Sequence, residues 1–216
     1  MTNCVLQVFV QPEKKNERFP IFEALYDYSQ QCAMRYAEKH DAEYVQFTGP
    51  RLYEDRSIVF EKLCVFDSQF DAYDKVFYVD MDALITPACP NVFEHERFAA
   101  VGTVHPEKFL SQRSFKSGYR YFNSGVMMFD RRVREVFSPE LLDKYAKIYQ
   151  NKDMKFHDQQ FFNQLICHEY GNYDILDRKW NAKFEGNAGK QRTRDYVVHF
   201  MGVNDKGKFK KKQWEL

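Results

Sequence analysis

Apolar residues along the chain fall into short runs and longer stretches that repeat every three or four positions, and the alternation of the two predicts strands and helices in turn. Residues 5–10 read as a buried strand. Residues 19–40 read as a helix with Phe22, Leu25, Tyr28 or Ser29, Cys32 and Tyr36 near one face, residues 42–47 as a second strand and residues 57–70 as a second helix. The run Lys75-Val76-Phe77-Tyr78-Val79 is a third strand, rich in β-branched and aromatic residues, and two carboxylates follow it directly in Asp80-Met81-Asp82 before Ala83-Leu84-Ile85. Strand and helix alternate as in parallel sheets, so the fold class is α/β: a mostly parallel central sheet flanked by helices, with residues 1–104 forming a nucleotide-binding half. Residues 105–216 make the other half. Its pattern is less regular: a strand over 98–104, a polar loop over 105–120, a strand over 125–129, a helix opened by Ser138-Pro139-Glu140, a helix over 158–170 stopped by Gly171, and a last strand over 197–200.

Composition narrows the class of protein. A chain of 216 residues that is 44% hydrophobic and 17% aromatic can bury a sizeable core in one domain. Its 32 Lys and Arg nearly balance 31 Asp and Glu, so nothing in the charge calls for nucleic acid or an anionic membrane, and any anion site must be local. Cys4, Cys32, Cys64, Cys89 and Cys167 are odd in number and widely spaced, which suits reduced core residues. No apolar stretch approaches the roughly 20 residues of a membrane span. A soluble protein of the cytoplasm is expected. The lysine-rich end, residues 206–212, reads as a solvated tail or linker, and the finish at Gln213-Trp214-Glu215-Leu216 as a domain cut from a longer protein.

The chemistry is concentrated in a few places. Side chains two apart on a strand share a face, so Asp80 and Asp82 can grip one hard cation at a strand end, where open α/β sheets place ligands. Four further features accompany them: Tyr121-Phe122-Asn123-Ser124-Gly125-Val126 at a strand mouth, His157-Asp158-Gln159-Gln160 at a helix start, Val198-His199-Phe200-Met201-Gly202 at a strand end, and Lys62. Taken singly, Asn123 to Gly125 is a turn, Asp158 an N-cap, His199 a hydrogen-bonded core imidazole and Lys62 a snorkelling helix residue.

In this order, with Glu61-Lys62-Leu63 and Trp180-Asn181 between them, the motifs resemble the GT-A glycosyltransferases, most closely glycosyltransferase family 8, over about residues 5–208. The resemblance implies a single Rossmann-like GT-A domain that transfers sugar, with retention of anomeric configuration, from a nucleotide-diphosphate sugar, UDP-sugar favoured, to a glycan or protein-linked acceptor. It implies Asp80, Asp82 and His199 as ligands of a divalent metal, Mn²⁺ or Mg²⁺, a donor set that suits Mn²⁺ somewhat better. Lys62, Met81 and Asn123 would meet the donor sugar or its phosphates, Val10 and Gln11 the base, and Asp158 and Gln159 would lie beside the anomeric carbon. The family's Gly three residues after the histidine is Gly202 here. Its Lys-Pro-Trp is altered: Lys206 comes one residue late and Gly207-Lys208 replaces Pro-Trp, which leaves Lys206 or Lys208 to touch the diphosphate. Because Gln159, an amide, stands nearest the reacting carbon, front-face transfer is expected over a double displacement.

Other readings make separate forecasts. A haloacid-dehalogenase-type phosphatase also places Asp-x-Asp after a strand, but after its first strand and with paired acids downstream. A catalytically silent nucleotide-sugar-binding module would bind donor without turning it over, and a nucleotidyltransferase would release pyrophosphate instead of a nucleoside diphosphate.

Overall fold

The computed structural model describes residues 2–10, 19–49, 52–53, 56–102, 121–150, 157–201 and 206–214. Its strands are β1 (Asn3–Val8), β2 (Ala42–Phe47), β3 (Lys75–Val79), β4 (Ala83–Ile85), β5 (Phe98–Gly102), β6 (Phe122–Asp130), β7 (Tyr173–Leu176), β8 (Ala182–Lys183) and β9 (Val197–His199). Its helices are α1 (Phe19–Lys39), α2 (Arg131–Val136), α3 (Pro139–Gln150), α4 (Asp158–Gln164) and α5 (Ala188–Arg194).

Six strands form the central sheet in the order β2-β1-β3-β6-β5-β7. β1 pairs in parallel with β2 and β3, and β5 with β7, while β6 runs antiparallel to both neighbours. The sheet is thus mostly parallel with one reversed strand, as the α/β reading expected. Alternation along each strand divides the core between two faces. Val5, Phe77, Val79, Val126 and Met128 join the cluster under α1. Cys4, Leu6, Val76, Tyr78, Met127 and Phe129 join the cluster packed with α3 and α4. All five cysteines are free and buried within these clusters.

Beside the main sheet lies a small one of order β4-β9-β8. β4 and β9 run antiparallel with Ala83 opposite His199, and the Phe200 N–H donates to the Asp82 carbonyl (2.8 Å). A histidine near the end of the chain is thereby set beside the acidic pair near its middle.

Several elements depart from the sequence reading. The helix expected over 57–70 is two 3₁₀ segments, Ile58–Phe66 and Ser68–Phe70, divided at Asp67, whose carboxylate accepts from the Gln69 N–H (3.1 Å). Phe60 and Leu63, and Glu61 and Cys64, are buried pairs three apart, the spacing that a three-residue turn aligns. Buried Glu61 accepts from the Leu52 (2.7 Å) and Tyr53 (3.2 Å) backbone N–H groups. β1 ends at Val8, and β6 begins three residues earlier than expected because its start is paired with β5, Gly102 opposite Phe122. The helix expected over 158–170 is α only to Gln164; Leu165–Tyr170 is a π turn, closed by Gly171, whose φ of 74° is left-handed and whose N–H donates to the Ile166 carbonyl (2.8 Å). The lysine-rich end is not a free tail. Trp214 is buried against Phe184 and Phe200, and its carbonyl accepts from the Tyr28 hydroxyl (2.9 Å), while Lys208, Lys210, Lys211 and Lys212 stay exposed. The expected loop over 105–120 lies outside the described residues.

Candidate metal and sugar-transfer site

β3 delivers Asp80 to the carboxyl end of the central sheet, and the chain turns at once: the Ala83 N–H donates to the Asp80 carbonyl (3.0 Å). Asp80 and Asp82 therefore converge across a turn and not along one face of a continuing strand, which corrects the geometric argument from sequence. His199 Nε2 lies 3.0 Å from Asp82 Oδ1 and 3.7 Å from Asp80 Oδ2, and one ligand atom from each residue falls within 4.8 Å of the others.

Two lysines flank this cluster. Lys206 pairs with Asp82 Oδ2 (2.9 Å). Lys62 bridges Asp80 Oδ1 (3.1 Å) and Asp158 Oδ2 (2.8 Å), and its ammonium also donates to the Ser124 carbonyl (3.3 Å). The Tyr78 hydroxyl donates to Asp80 Oδ1. Burial is the largest influence on both carboxyls: it raises Asp80 above its usual value even beside Lys62, whereas at Asp82 hydrogen bonding from His199 and the Lys206 charge overcome it and hold the group below the carboxylate range. Burial works against charge on Lys62 and Lys206 as well, but Asp158 and Asp80 for the first and Asp82 for the second raise both above the usual lysine value.

A chain of amides sets the histidine. The Gly125 backbone N–H, which can only donate, reaches Asn123 Oδ1 (2.9 Å), so that atom is an acceptor and Asn123 Nδ2 donates to Gln159 Oε1 (2.9 Å). Asn123 Oδ1 also accepts from Asn181 Nδ2 (2.8 Å), which turns Asn181 Oδ1 toward His199 Nδ1 (2.9 Å) and places a proton on that nitrogen. Nε2 is left facing the two carboxylates, a gap that a proton or a metal ion bridges. Two carboxylate oxygens and an imidazole nitrogen with its other nitrogen anchored fit a divalent cation of the Mn²⁺ or Mg²⁺ kind. The cradle also needs glycine: a Cβ on Gly125 would stand 2.4 Å from His199 Cε1 and 2.9 Å from Asp80 Oδ2.

A model of glycosyl transferase family 8 matches residues 9–207. The chain belongs to this family. None of the curated proteins matches it in sequence. Among solved structures, it is similar to the galactosyltransferase LgtC in complex with donor and acceptor sugar analogs, at 15% identity and a TM-score of 0.60 over 92% of this chain and 87% of that one. It is also similar to a glycosyltransferase involved in the glycosylation of the major capsid of PBCV-1, with 12% identity, a TM-score of 0.60 and coverage of 95% and 96%. A third likeness is mouse xyloside xylosyltransferase 1, with 14% identity, a TM-score of 0.54 and coverage of 92% and 97%. At these identities the likeness is one of fold, and it agrees with the expected GT-A domain.

Within this family 8 domain, the predicted residues are placed as follows. Asp80, Asp82, His199, Lys62, Lys206, Asn123, Gln159 and Asp158 are linked by the contacts above. Asp158 is not an N-cap: His157 holds that position, and the Asp158 carboxylate instead accepts from Ser124 Oγ (2.8 Å) and pairs with Lys62. Of the two candidate lysines, Lys206 reaches the cluster. Met81 is buried, with its Sδ accepting from Gln46 Nε2 (3.8 Å), and Val10 is half-buried just past β1. Gln11 and Gly202 lie outside the described residues. Tyr78 and Ser124 were given no role by the sequence reading, nor was Asn181, although Trp180-Asn181 was one of its motifs. Trp180 packs edge-on against Phe77 of β3 (6.2 Å between ring centres), which fixes the backbone that carries Asn181. No helix among the described residues is long and apolar enough to cross a membrane.

Proposed function

We propose that this family 8 domain transfers a hexosyl or deoxyhexosyl group from a nucleotide-diphosphate sugar, with UDP-sugar as the favoured donor, to a glycan or protein-linked acceptor in the cytoplasm, with retention of configuration. The observation that carries this reading is the continuous contact path from the Asp80, Asp82 and His199 cluster through Asn181 and Asn123 to Gln159, beside Asp158. In this assignment residues 1–104 serve the nucleotide, with Val10 and Gln11 for the base and Met81 for the donor sugar or its phosphates, and residues 105–216 serve the acceptor.

Asp80, Asp82 and His199 would hold Mn²⁺, or Mg²⁺, which when bound supplies Lewis-acid neutralisation of the leaving diphosphate. The chain's own cations act in the same direction. Lys206, beside Asp82, would serve the diphosphate, as the family resemblance also implies for Gly202, and Lys62, beside Asp80, the sugar and its phosphates. As the bond to the leaving oxygen lengthens, positive charge grows on the sugar ring, and the Asp158 carboxylate steadies it. Gln159, held through its carbonyl oxygen by Asn123, would offer its Nε2 donor to the sugar. An amide is a poor nucleophile, so the acceptor hydroxyl attacks on the face the diphosphate leaves, and the departing phosphate takes its proton.

The test is release of nucleoside diphosphate from a panel of nucleotide sugars with Mn²⁺, with and without chelator. UDP release that chelator abolishes is expected, and Asp82→Ala should remove it along with Mn²⁺ binding while leaving the circular dichroism spectrum unchanged. Activity undiminished by chelator would overturn the metal assignment, a preference for GDP-sugars the donor assignment, and donor binding without turnover would mark a silent binding module.

A further inference from the structure

β3 brings a phenol to the metal cluster as well as a carboxylate. Asp80 is still on the ladder, its N–H donating to the Gly125 carbonyl (2.8 Å), and side chains two apart on an extended strand share a face. Tyr78 and Asp80 therefore lie side by side, and the Tyr78 hydroxyl donates to Asp80 Oδ1. Tyr78 is 2% exposed, and a carboxylate can only accept, so the hydroxyl proton is committed to this oxygen. Lys62 does not choose between the two oxygens of Asp80: its ammonium is 3.1 Å from Oδ1 and 3.4 Å from Oδ2. The hydroxyl is what makes them unlike. It leaves Oδ2 as the oxygen on the side of His199 Nε2, at 3.7 Å. Asp82 is divided in the same way, with Oδ2 on Lys206 (2.9 Å) and Oδ1 3.0 Å from Nε2. Each carboxylate thus has one oxygen engaged by its own protein partner and the other turned to the imidazole.

We propose that Tyr78 is a positioning residue that holds Asp80 to one metal-facing oxygen, Oδ2, and so sets the preference of the site for Mn²⁺ or Mg²⁺ over Ca²⁺. This rests on the assignment of Asp80, Asp82 and His199 as metal ligands. A small octahedral ion takes single oxygens at short and nearly fixed distances, whereas Ca²⁺ gathers more oxygens in a looser shell and readily takes both from one carboxylate. The Tyr78 hydroxyl keeps Oδ1 out of that shell. Without it the Asp80 carboxylate is free to turn about its Cβ–Cγ bond and present both oxygens, a geometry that suits Ca²⁺ and not an octahedral ion. A buried tyrosine that merely finds a convenient acceptor in Asp80 would add stability and nothing more, and its loss would not separate the two ions.

Titration calorimetry of the whole chain with Mn²⁺ and with Ca²⁺, in the wild type and in Tyr78→Phe, tests the role; the variant keeps the ring, whose centre is 5.4 Å from the Lys62 ammonium, and removes only the hydroxyl. The wild type should bind Mn²⁺ about tenfold or more tightly than Ca²⁺. Tyr78→Phe should weaken Mn²⁺ about tenfold and Ca²⁺ by no more than about threefold, so that the preference shrinks. Infrared difference spectra on adding Mn²⁺ to the wild type, in which the splitting of the carboxylate stretches tells one-oxygen from two-oxygen coordination, should show the one-oxygen form alone. Unchanged Mn²⁺ affinity in the variant, or equal weakening of both ions, would overturn the role, as would two-oxygen coordination or equal affinity for the two ions in the wild type. A wild type that binds neither ion would instead overturn the metal assignment, and this role with it.

Discussion

The Gly125 N–H is the one group in the amide chain whose donor character covalent chemistry fixes, and every other orientation follows from it: Asn123, then Asn181, then the His199 ring. Asn181 would therefore position His199 for the proposed metal. Asn181→Leu removes the acceptor for His199 Nδ1 and should lower Mn²⁺ affinity about 10- to 100-fold, the usual effect of losing such a partner. Imidazole ¹⁵N signals should change from one tautomer to a mixture, and Asn181→Asp, which still accepts from Nδ1, should recover most of the affinity. Wild-type affinity in the leucine variant would dismiss the role. At Asp158, Asn cannot balance the Lys62 charge, so Asp158→Asn should cost about 1–3 kcal/mol in denaturant titration and cut turnover by an order of magnitude or more with Mn²⁺ binding retained. A helix cap would have tolerated the change. The acidic pair stood out because charge beside an apolar run is visible in one dimension, whereas His199 and Lys62, unremarkable singly, were singled out only through the order of motifs that resembles the family. Asn181 was not, since its meaning lies in partners 58 and 18 residues away.

Among the elements, β6 bears most directly on the site, because it pairs with β3 and holds Asn123, Ser124 and Gly125 across from the strand that delivers Asp80. Gly125→Ala places a methyl where the His199 ring and the Asp80 carboxylate already stand, and no exposed neighbour can yield. Overpacking of this kind costs about 1–3 kcal/mol. Here the His199 ring would move, so Mn²⁺ affinity should drop at least tenfold while far-ultraviolet circular dichroism stays native; retained affinity would show that the cradle has slack. The strands were readable from short stretches of β-branched and aromatic residues, as β2 and β3 show, but their ends were not. β6 is longer than its apolar run because pairing with β5 extends it over Asn123 and Ser124, polar residues that donate to Gln159 and Asp158. Residues 57–70 and 158–170 have helical periodicity, yet periodicity does not separate three, 3.6 and 4.4 residues per turn over so short a span.

Over the whole molecule, Asp195 ties the ends of β4 and β9 in the small sheet to each other and to α5. Its carbonyl accepts from Thr86 Oγ1 (2.7 Å), and its carboxylate from Arg194 and Gln191. Burial alone would raise this carboxyl, but those hydrogen bonds prevail and hold it below its ordinary value of 3.8. A carboxyl depressed on folding adds stability above its unfolded pKa and loses it as pH falls through the folded one. Asp195→Asn should therefore lower unfolding free energy by about 1.5–3 kcal/mol near neutrality, and the gap to the wild type should narrow as pH falls below 4. A gap that is constant from pH 7 to 3 would exclude the linkage. The same sheet has a temporal consequence. Asp82 and His199 are 117 residues apart, brought together only when β9 pairs with β4. A chain emerging from the ribosome carries its acidic pair long before its imidazole, so an ion held by all three would be captured only once β9 is made and paired, as a clasp on strands 117 residues apart.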